Sequence, residues 1–461
     1  MRYVSTRGGA ADLTFTDAVM TGLAPDGGLL VPAAIPDVSD RLGVLAGLAY
    51  SELAREVMSL FIDDIEPDAL AQLVRQSYEA FEHPEVTPVH SDGSLHVLEL
   101  FHGPTLAFKD VALQFLGNVF DHVLETRGAH LNILGATSGD TGSAAIAGVR
   151  GRSNIDIFVM FPNGRTSPLQ ERQMTTVADA NVHALAIEGS FDDCQSILKS
   201  VFRDLAFKSE HSLGAVNSVN WARVLAQVVY YFYAYFRVAD NGPLDVTVPT
   251  GNFGNIFAAW VARRMGLPLR RLVLATNAND ILARFFQTGR YARGEVHFSR
   301  SPSMDIQVSS NFERYLYFSL EADPTRVRDF MESFEDGGEF QLNYNTRVYD
   351  ETFSAGSADD AATLETIRRT WDEYGYLLDP HTAVGVAVAT DYQNNVADDV
   401  PMLCVATAHP AKFPDSIAEV LPGVLATHPT LEALTGLSTR KTVLPADVET
   451  VKAFIRNSAR G

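Results

Sequence analysis

From about residue 91 the chain alternates short apolar runs with longer segments whose apolar positions recur every three or four residues. The runs at 130–136, 155–161, 181–187, 245–249, 271–275 and 402–406 read as buried strands. The segments at 143–149, 167–177, 192–207, 221–238 and 255–265 read as helices. Strand–loop–helix repetition over this length predicts an α/β architecture, with largely parallel sheets covered on both faces. In such sheets ligands sit at the carboxyl ends of strands, so the loops directly after strands are where chemistry is to be sought.

Residues 1–90 follow a different pattern. A turn-rich opening (Ala24-Pro25-Asp26-Gly27-Gly28, then Leu29-Leu30-Val31-Pro32) precedes helical patterning over 45–61 and 67–81. This predicts a mainly helical N-terminal module over 1–90 and a core over 91–461. Residues 298–360 are less regular and read as a lid or insertion within that core. The most apolar stretch, 224–236, lies between Arg223 and Arg237 and contains Gln227 and four tyrosines. It is too short to span a bilayer and predicts a buried helix.

Composition narrows the partners. A formal net charge of −21 argues against a nucleic-acid groove or an anionic membrane surface. A small anionic ligand remains compatible, because local cations and backbone N–H donors override global charge. The two cysteines, Cys194 and Cys404, are too few for a disulfide scaffold or a thiolate-rich zinc site. The opening Met1-Arg2-Tyr3-Val4-Ser5-Thr6-Arg7 lacks the apolar core of a signal peptide, so a soluble cytoplasmic protein is expected.

Three post-strand loops and one lysine carry candidate chemistry. The loop Thr137-Ser138-Gly139-Asp140-Thr141-Gly142 leads from a strand into a helix. Small residues there expose N–H groups at a helix N-terminus, which suits a carboxylate, although an ordinary helix cap has the same composition. The loop Thr250-Gly251-Asn252-Phe253-Gly254-Asn255 has the make-up of a phosphate cradle. It lacks the Gly-Lys-Ser/Thr of a Walker loop and the dinucleotide G-x-G-x-x-G pattern, and a simple βα turn reads the same way. Lys109 stands after Leu106, Ala107 and Phe108 and before Val111, Ala112 and Leu113. Desolvation there lowers an ammonium's pKa and favours a nucleophilic amine; a surface lysine snorkelling over an apolar face is the commoner alternative. In the loop Thr407-Ala408-His409-Pro410-Ala411-Lys412-Phe413, Thr407 offers a hydroxyl at a strand end, and His409 reads as a turn residue.

Taken in order, these segments resemble the threonine synthase family, in the longer class with an extra N-terminal domain. The resemblance also runs through Tyr3-Val4-Ser5-Thr6-Arg7-Gly8, His102-Gly103-Pro104-Thr105, Phe108-Lys109-Asp110, Ser167-Pro168-Leu169-Gln170, Asn217-Ser218-Val219-Asn220-Trp221 and Ser309-Ser310-Asn311-Phe312-Glu313-Arg314. It implies a tryptophan-synthase-β-like (fold type II) core that uses pyridoxal 5′-phosphate. The activity implied is conversion of O-phospho-L-homoserine and water to L-threonine and phosphate by γ-elimination and β-hydration, the last step of threonine biosynthesis. Under it, Lys109 is the Schiff-base lysine. Gly251, Asn252, Phe253, Gly254 and Asn255 hold the cofactor phosphate, and Thr407 faces the pyridine nitrogen. Thr137, Ser138, Gly139, Asp140 and Thr141 grip the substrate α-carboxylate; the wider fold type usually has Asn where this chain has Asp140. Arg165, Arg172, Arg223, Arg314 and Lys412 are candidates for the substrate phosphate. No metal is implied, and the oligomeric state is left open between monomer and dimer. The rival readings are a phospho-lyase or a threonine/serine dehydratase of the same fold, and a non-catalytic scaffold.

Overall fold

Two sheets collect the apolar runs of this computed structural model, which describes residues 1–342, 352–396 and 398–460. The larger has the order Phe353–Ser357, Leu269–Thr276, Leu244–Pro249, Met402–Ala406, Leu95–Glu99, Val89–Asp92. Neighbours are parallel except the last two, which form an antiparallel hairpin. The smaller, all parallel, has the order Thr442–Pro445, Val182–Glu188, Ile155–Pro162, Leu131–Ala136, Leu213–Gly214. All six runs read as strands in the sequence are strands. The central ones are buried along their whole length, as parallel strands covered on both faces must be.

The helices follow their signals closely. Trp221–Val238 starts where the Asn220 side chain accepts from the Ala222 N–H, and residues 221–235 are buried. Lys109–Arg127 stops at Gly128, whose φ of 57° suits a left-handed cap. The expected helix over 192–207 is two helices, Phe191–Arg203 and Leu205–Glu210. Asp204 leaves the helical region at ψ 87°, and its carboxylate accepts from the Phe207 N–H to start the second helix. The helices Lys109–Arg127 and Asp140–Val149 touch backbone to backbone at Gly117 and Gly148. A Cβ at residue 117 would lie 2.0 Å from the Gly148 carbonyl oxygen. That contact sets the spacing between the two helix starts, where Lys109 and Asp140 stand.

Within 1–90, the strand Tyr3–Ser5 pairs with Leu30–Pro32; the helices Tyr50–Ser59 and Pro67–Tyr78 pack on each other and, respectively, on Trp221–Val238 and Lys109–Arg127, and Phe15–Thr21 touches both of those core helices. This part grips the rest through specific contacts. Asn220 Nδ2 donates to the Val19 carbonyl at 2.8 Å, and Arg7 is paired with Glu313 at 2.9 Å. The segment 298–360, read as a lid or insertion, holds the helices Phe312–Ser319 and Pro324–Gly337 in regular packing. Its residues 343–351 lie outside the described part. Among the described residues no helix is long and apolar enough to cross a membrane.

Candidate active site

Lys109 opens its helix directly after a turn fixed to the end of the strand Met402–Ala406. Ala107 bridges to Ala408, and the Phe108 N–H donates to the Thr407 carbonyl at 2.9 Å. Asp110 locks the same turn, accepting from the Thr105 N–H at 2.8 Å and hydroxyl at 2.7 Å. Burial pushes the Asp110 carboxyl up to about 6. The Lys109 amine lies 3.6 Å from Asp140 Oδ2 and 3.5 Å from Ser303 Oγ. Burial lowers its pKa against the pull of Asp140, and the charges of Lys412 and Arg223 lower it further. The reactive form of an amine is thereby favoured.

Asp140 is no free carboxylate. Lys412 stands 2.8 Å from its Oδ1, and Gln170 Nε2 donates to the same oxygen at 2.8 Å. Burial would raise its pKa, but Lys412 and Lys109 hold it far below the usual carboxylate range. In this loop the Thr137 hydroxyl turns inward and accepts from the N–H groups of Gly139 (3.0 Å) and Gly142 (2.9 Å). The N–H groups of Ser138, Asp140 and Thr141 have no acceptor among the described residues.

The loop after Leu244–Pro249 is held by its carbonyls. Ser309 Oγ donates to the Gly251 carbonyl at 2.7 Å, and Asn311 donates to the Asn252 carbonyl from its N–H (3.1 Å) and its Nδ2 (3.0 Å). Phe253 adopts φ 60°, and its ring packs among Phe286, Phe312, Tyr315 and Phe353. With the carbonyls pinned, the N–H groups of residues 251–256 find no acceptor among the described residues. Asn255 Oδ1 takes the hydroxyls of Tyr230 and Tyr231 at 2.5 and 2.6 Å, leaving its buried Nδ2 without a partner. The Ser303 carbonyl would lie 3.0 Å from a Cβ at Gly251, so the Ser303 segment joins this loop to Lys109.

Of the five candidate cations, three are committed elsewhere. Arg314 is fully buried and donates to the carbonyls of Leu30 and Val219 and to Asn311. Arg172 closes on the carbonyls of Leu434, Thr435 and Leu437. Lys412 serves Asp140 and the Thr105 carbonyl. Arg165 is exposed. Arg223 is 4% exposed, and its Nε and Nη1 have no partner; burial lowers its pKa to about 10. Thr407 is buried with its backbone bonded on both sides, and its hydroxyl makes no hydrogen bond among the described residues. His409 is a turn residue: its Nδ1 accepts from the Ala411 N–H at 3.1 Å. Ser303, His381 and Asp379 escaped the sequence reading, and Gln170 entered it only as part of a matching segment with no site role, since none lies in a post-strand glycine loop.

Residues 88–408 match the family model for pyridoxal-phosphate dependent enzymes. Residues 2–78 match that for the threonine synthase N terminus, and 382–455 that for the threonine synthase C-terminal region. The chain belongs to the threonine synthase family. The threonine synthase of Pseudomonas aeruginosa is 46% identical over 463 residues, covering 99% of this chain and 98% of that one. The crystal structure of pyridoxal-phosphate-bound threonine synthase from Brucella melitensis superposes with a TM-score of 0.96 at 46% identity, covering 100% of both chains. That of yeast threonine synthase gives 0.94 at 39%, covering 99% and 98%. The tryptophan-synthase-β-like fold and the cofactor, pyridoxal 5′-phosphate, follow for this threonine synthase family member. Its residues fit that group on their own evidence. The unbonded N–H groups of 251–256 and the orphaned Asn255 Nδ2 match a phosphate's acceptors. A buried amine with a depressed pKa stands beside the segment that contacts that loop.

Proposed function

We propose that the chain converts O-phospho-L-homoserine and water to L-threonine and phosphate, with Lys109 as the lysine that carries the cofactor. The observation behind this reading is the Lys109 amine, desolvated and 3.6 Å from Asp140, amid donors without acceptors. When bound, pyridoxal phosphate supplies an electron sink for removal of protons next to the substrate's amino carbon. Gly251, Asn252, Phe253, Gly254 and Asn255 would hold its phosphate, and Thr407 would offer its hydroxyl to the ring nitrogen.

The N–H groups of Ser138, Asp140 and Thr141 suit the substrate carboxylate; Thr137 and Gly139 shape the loop that presents them. Asp140 is compatible with that role because Lys412 offsets its charge and Gln170 donates to it. The Lys109 amine, its pKa lowered by burial, is the group that would take and return protons there. Arg223 suits the substrate phosphate. A buried guanidinium without a counter-charge costs several kcal/mol, a cost that an anion at that place would remove. The division into a module over 1–90 and a core over 91–461 fits this reading as support. Arg314 links the Leu30 carbonyl to Asn311, which in turn pins the 251–255 loop.

The decisive experiment gives purified protein O-phospho-L-homoserine and measures threonine against 2-oxobutyrate, for the wild type, Lys109→Ala and Arg223→Met. Threonine should form, and Lys109→Ala should lose the visible absorbance of lysine-bound cofactor and nearly all turnover. Arg223→Met should weaken an unreactive phosphonate analogue while sparing a neutral one. Dominant 2-oxobutyrate would overturn the reaction, normal turnover by Lys109→Ala the lysine, and equal loss of both analogues the arginine.

A further inference from the structure

Asp379 is 1% exposed and sits immediately before the helix Pro380–Val396. Its carboxylate accepts four hydrogen bonds. Oδ1 takes the His381 N–H at 2.9 Å and Nδ1 at 2.8 Å; Oδ2 takes the Thr382 N–H at 3.3 Å and the Thr382 hydroxyl. Each of the two side chains it holds reaches one side of the site. His381 Nε2 accepts from the Ser303 N–H at 3.2 Å, and Ser303 Oγ lies 3.5 Å from the Lys109 amine and 3.4 Å from Asp140 Oδ2. Thr382 Oγ1 accepts from the Thr407 N–H at 3.3 Å. Thr407 also takes the Phe108 N–H on its carbonyl, one residue before Lys109.

We infer that Asp379 is a positioning residue with two arms: through His381 it sets Ser303 against Lys109, and through Thr382 it sets Thr407. This rests on the reading of Lys109 and Thr407 as cofactor contacts. His381 spans Asp379 and Ser303: its Nδ1 bonds the Asp379 carboxylate and its Nε2 accepts the Ser303 N–H. His381 is therefore an anchor for the Ser303 backbone. Ser303 is the hydroxyl that bridges the amine of Lys109 and the carboxylate of Asp140. A displacement of about 1 Å in such a contact is enough to slow a proton transfer by tenfold or more.

The arms are separable in the cofactor-loaded enzyme. His381→Phe should lower kcat about tenfold with KM within about threefold, and His381→Gln, which keeps an acceptor and a donor, should regain most of it. Ser303→Ala should lower kcat to a similar degree. In the Ser303→Ala background His381→Phe should then add less than about twofold, since it acts through the same hydroxyl. Thr382→Val should shift the visible absorbance of the bound cofactor, whereas His381→Phe should not. Asp379→Asn should show both effects. Multiplying losses in the double variant would overturn the first arm, and an unshifted spectrum in both Thr382→Val and Asp379→Asn the second. Should His381→Phe fail to fold, Ser303→Ala and Thr382→Val, each removing one hydroxyl, carry the same two readouts, and wild-type behaviour in either overturns its arm. The Lys109 reading is tested apart, by borohydride trapping: cofactor still fixed to the chain in Lys109→Ala would sink it whatever the variants above do.

Discussion

The Nζ of Lys412 lies 2.8 Å from Oδ1 of Asp140, with the two side chains 0% and 5% exposed. Removing one member of such a pair leaves the other buried and unmatched, at a cost of about 3–5 kcal/mol. Asp140→Asn should therefore destabilise the protein in urea by that order. The two members act on Lys109 with opposite sign, Asp140 raising its pKa and Lys412 lowering it. Asp140→Asn should shift the Lys109 titration downward and Lys412→Met upward, read from the pH dependence of amine labelling in cofactor-free protein. Shifts of the same sign would contradict the arrangement.

Arg314 tests how the N-terminal residues support the core. Arg314→Met strips donors from the carbonyls of Leu30 and Val219 and from Asn311. Each buried acceptor left unmet costs about 1–3 kcal/mol, so a loss of about 3 kcal/mol or more is expected in urea unfolding. Because Asn311 pins the Asn252 carbonyl, cofactor affinity should fall with it. Unchanged cofactor affinity would show that the loop keeps its shape without Arg314.

The central strands were legible because burial on both faces demands continuous apolar runs, as in residues 155–162. The edge strands Val89–Asp92 and Thr442–Pro445 were not, since they are short and partly exposed, and only pairing defines them. Lys109 and the glycine loops stood out because their chemistry is local. Ser303, His381 and Asp379 did not, for their meaning lies in contacts across 78 and 194 positions of chain. Among the five cations, sequence could not separate Arg223 from Arg314. Both are buried, and only the carbonyls around Arg314 distinguish a committed guanidinium from one lacking partners.

The Gly117–Gly148 contact makes a geometric prediction. The 2.0 Å separation from a Cβ at residue 117 to the Gly148 carbonyl forces the two helices apart in Gly117→Ala. Overpacking of this kind costs about 1–3 kcal/mol. The displaced helix starts should also lengthen the 3.6 Å contact of Lys109 with Asp140 and lower activity. Gly43→Ala, where a Cβ meets nothing within 4 Å, is the control and should be neutral or mildly stabilising. Equal stability of both variants would argue that the helices are free to slide.

His409 makes the fold sensitive to acid. Burial pushes its imidazole down to about 4, and the neighbouring His428 and His102 act in the same direction. In the unfolded chain an imidazole titrates near ~6.5. Between those two values the unfolded state binds a proton that the folded state refuses, so stability rises with pH across this window. The contribution is fully present above ~6.5 and is lost as pH falls toward 4. At pH 5 the loss from this one group is about 2 kcal/mol, an upper figure because the ring keeps some solvent contact. His409→Asn should keep the acceptor that caps the Ala411 N–H while removing the titration. Urea unfolding at pH 7 and pH 5 should then show a smaller pH-dependent loss in the variant than in the wild type. Parallel losses in the two proteins would mean that His409 titrates freely in the folded state.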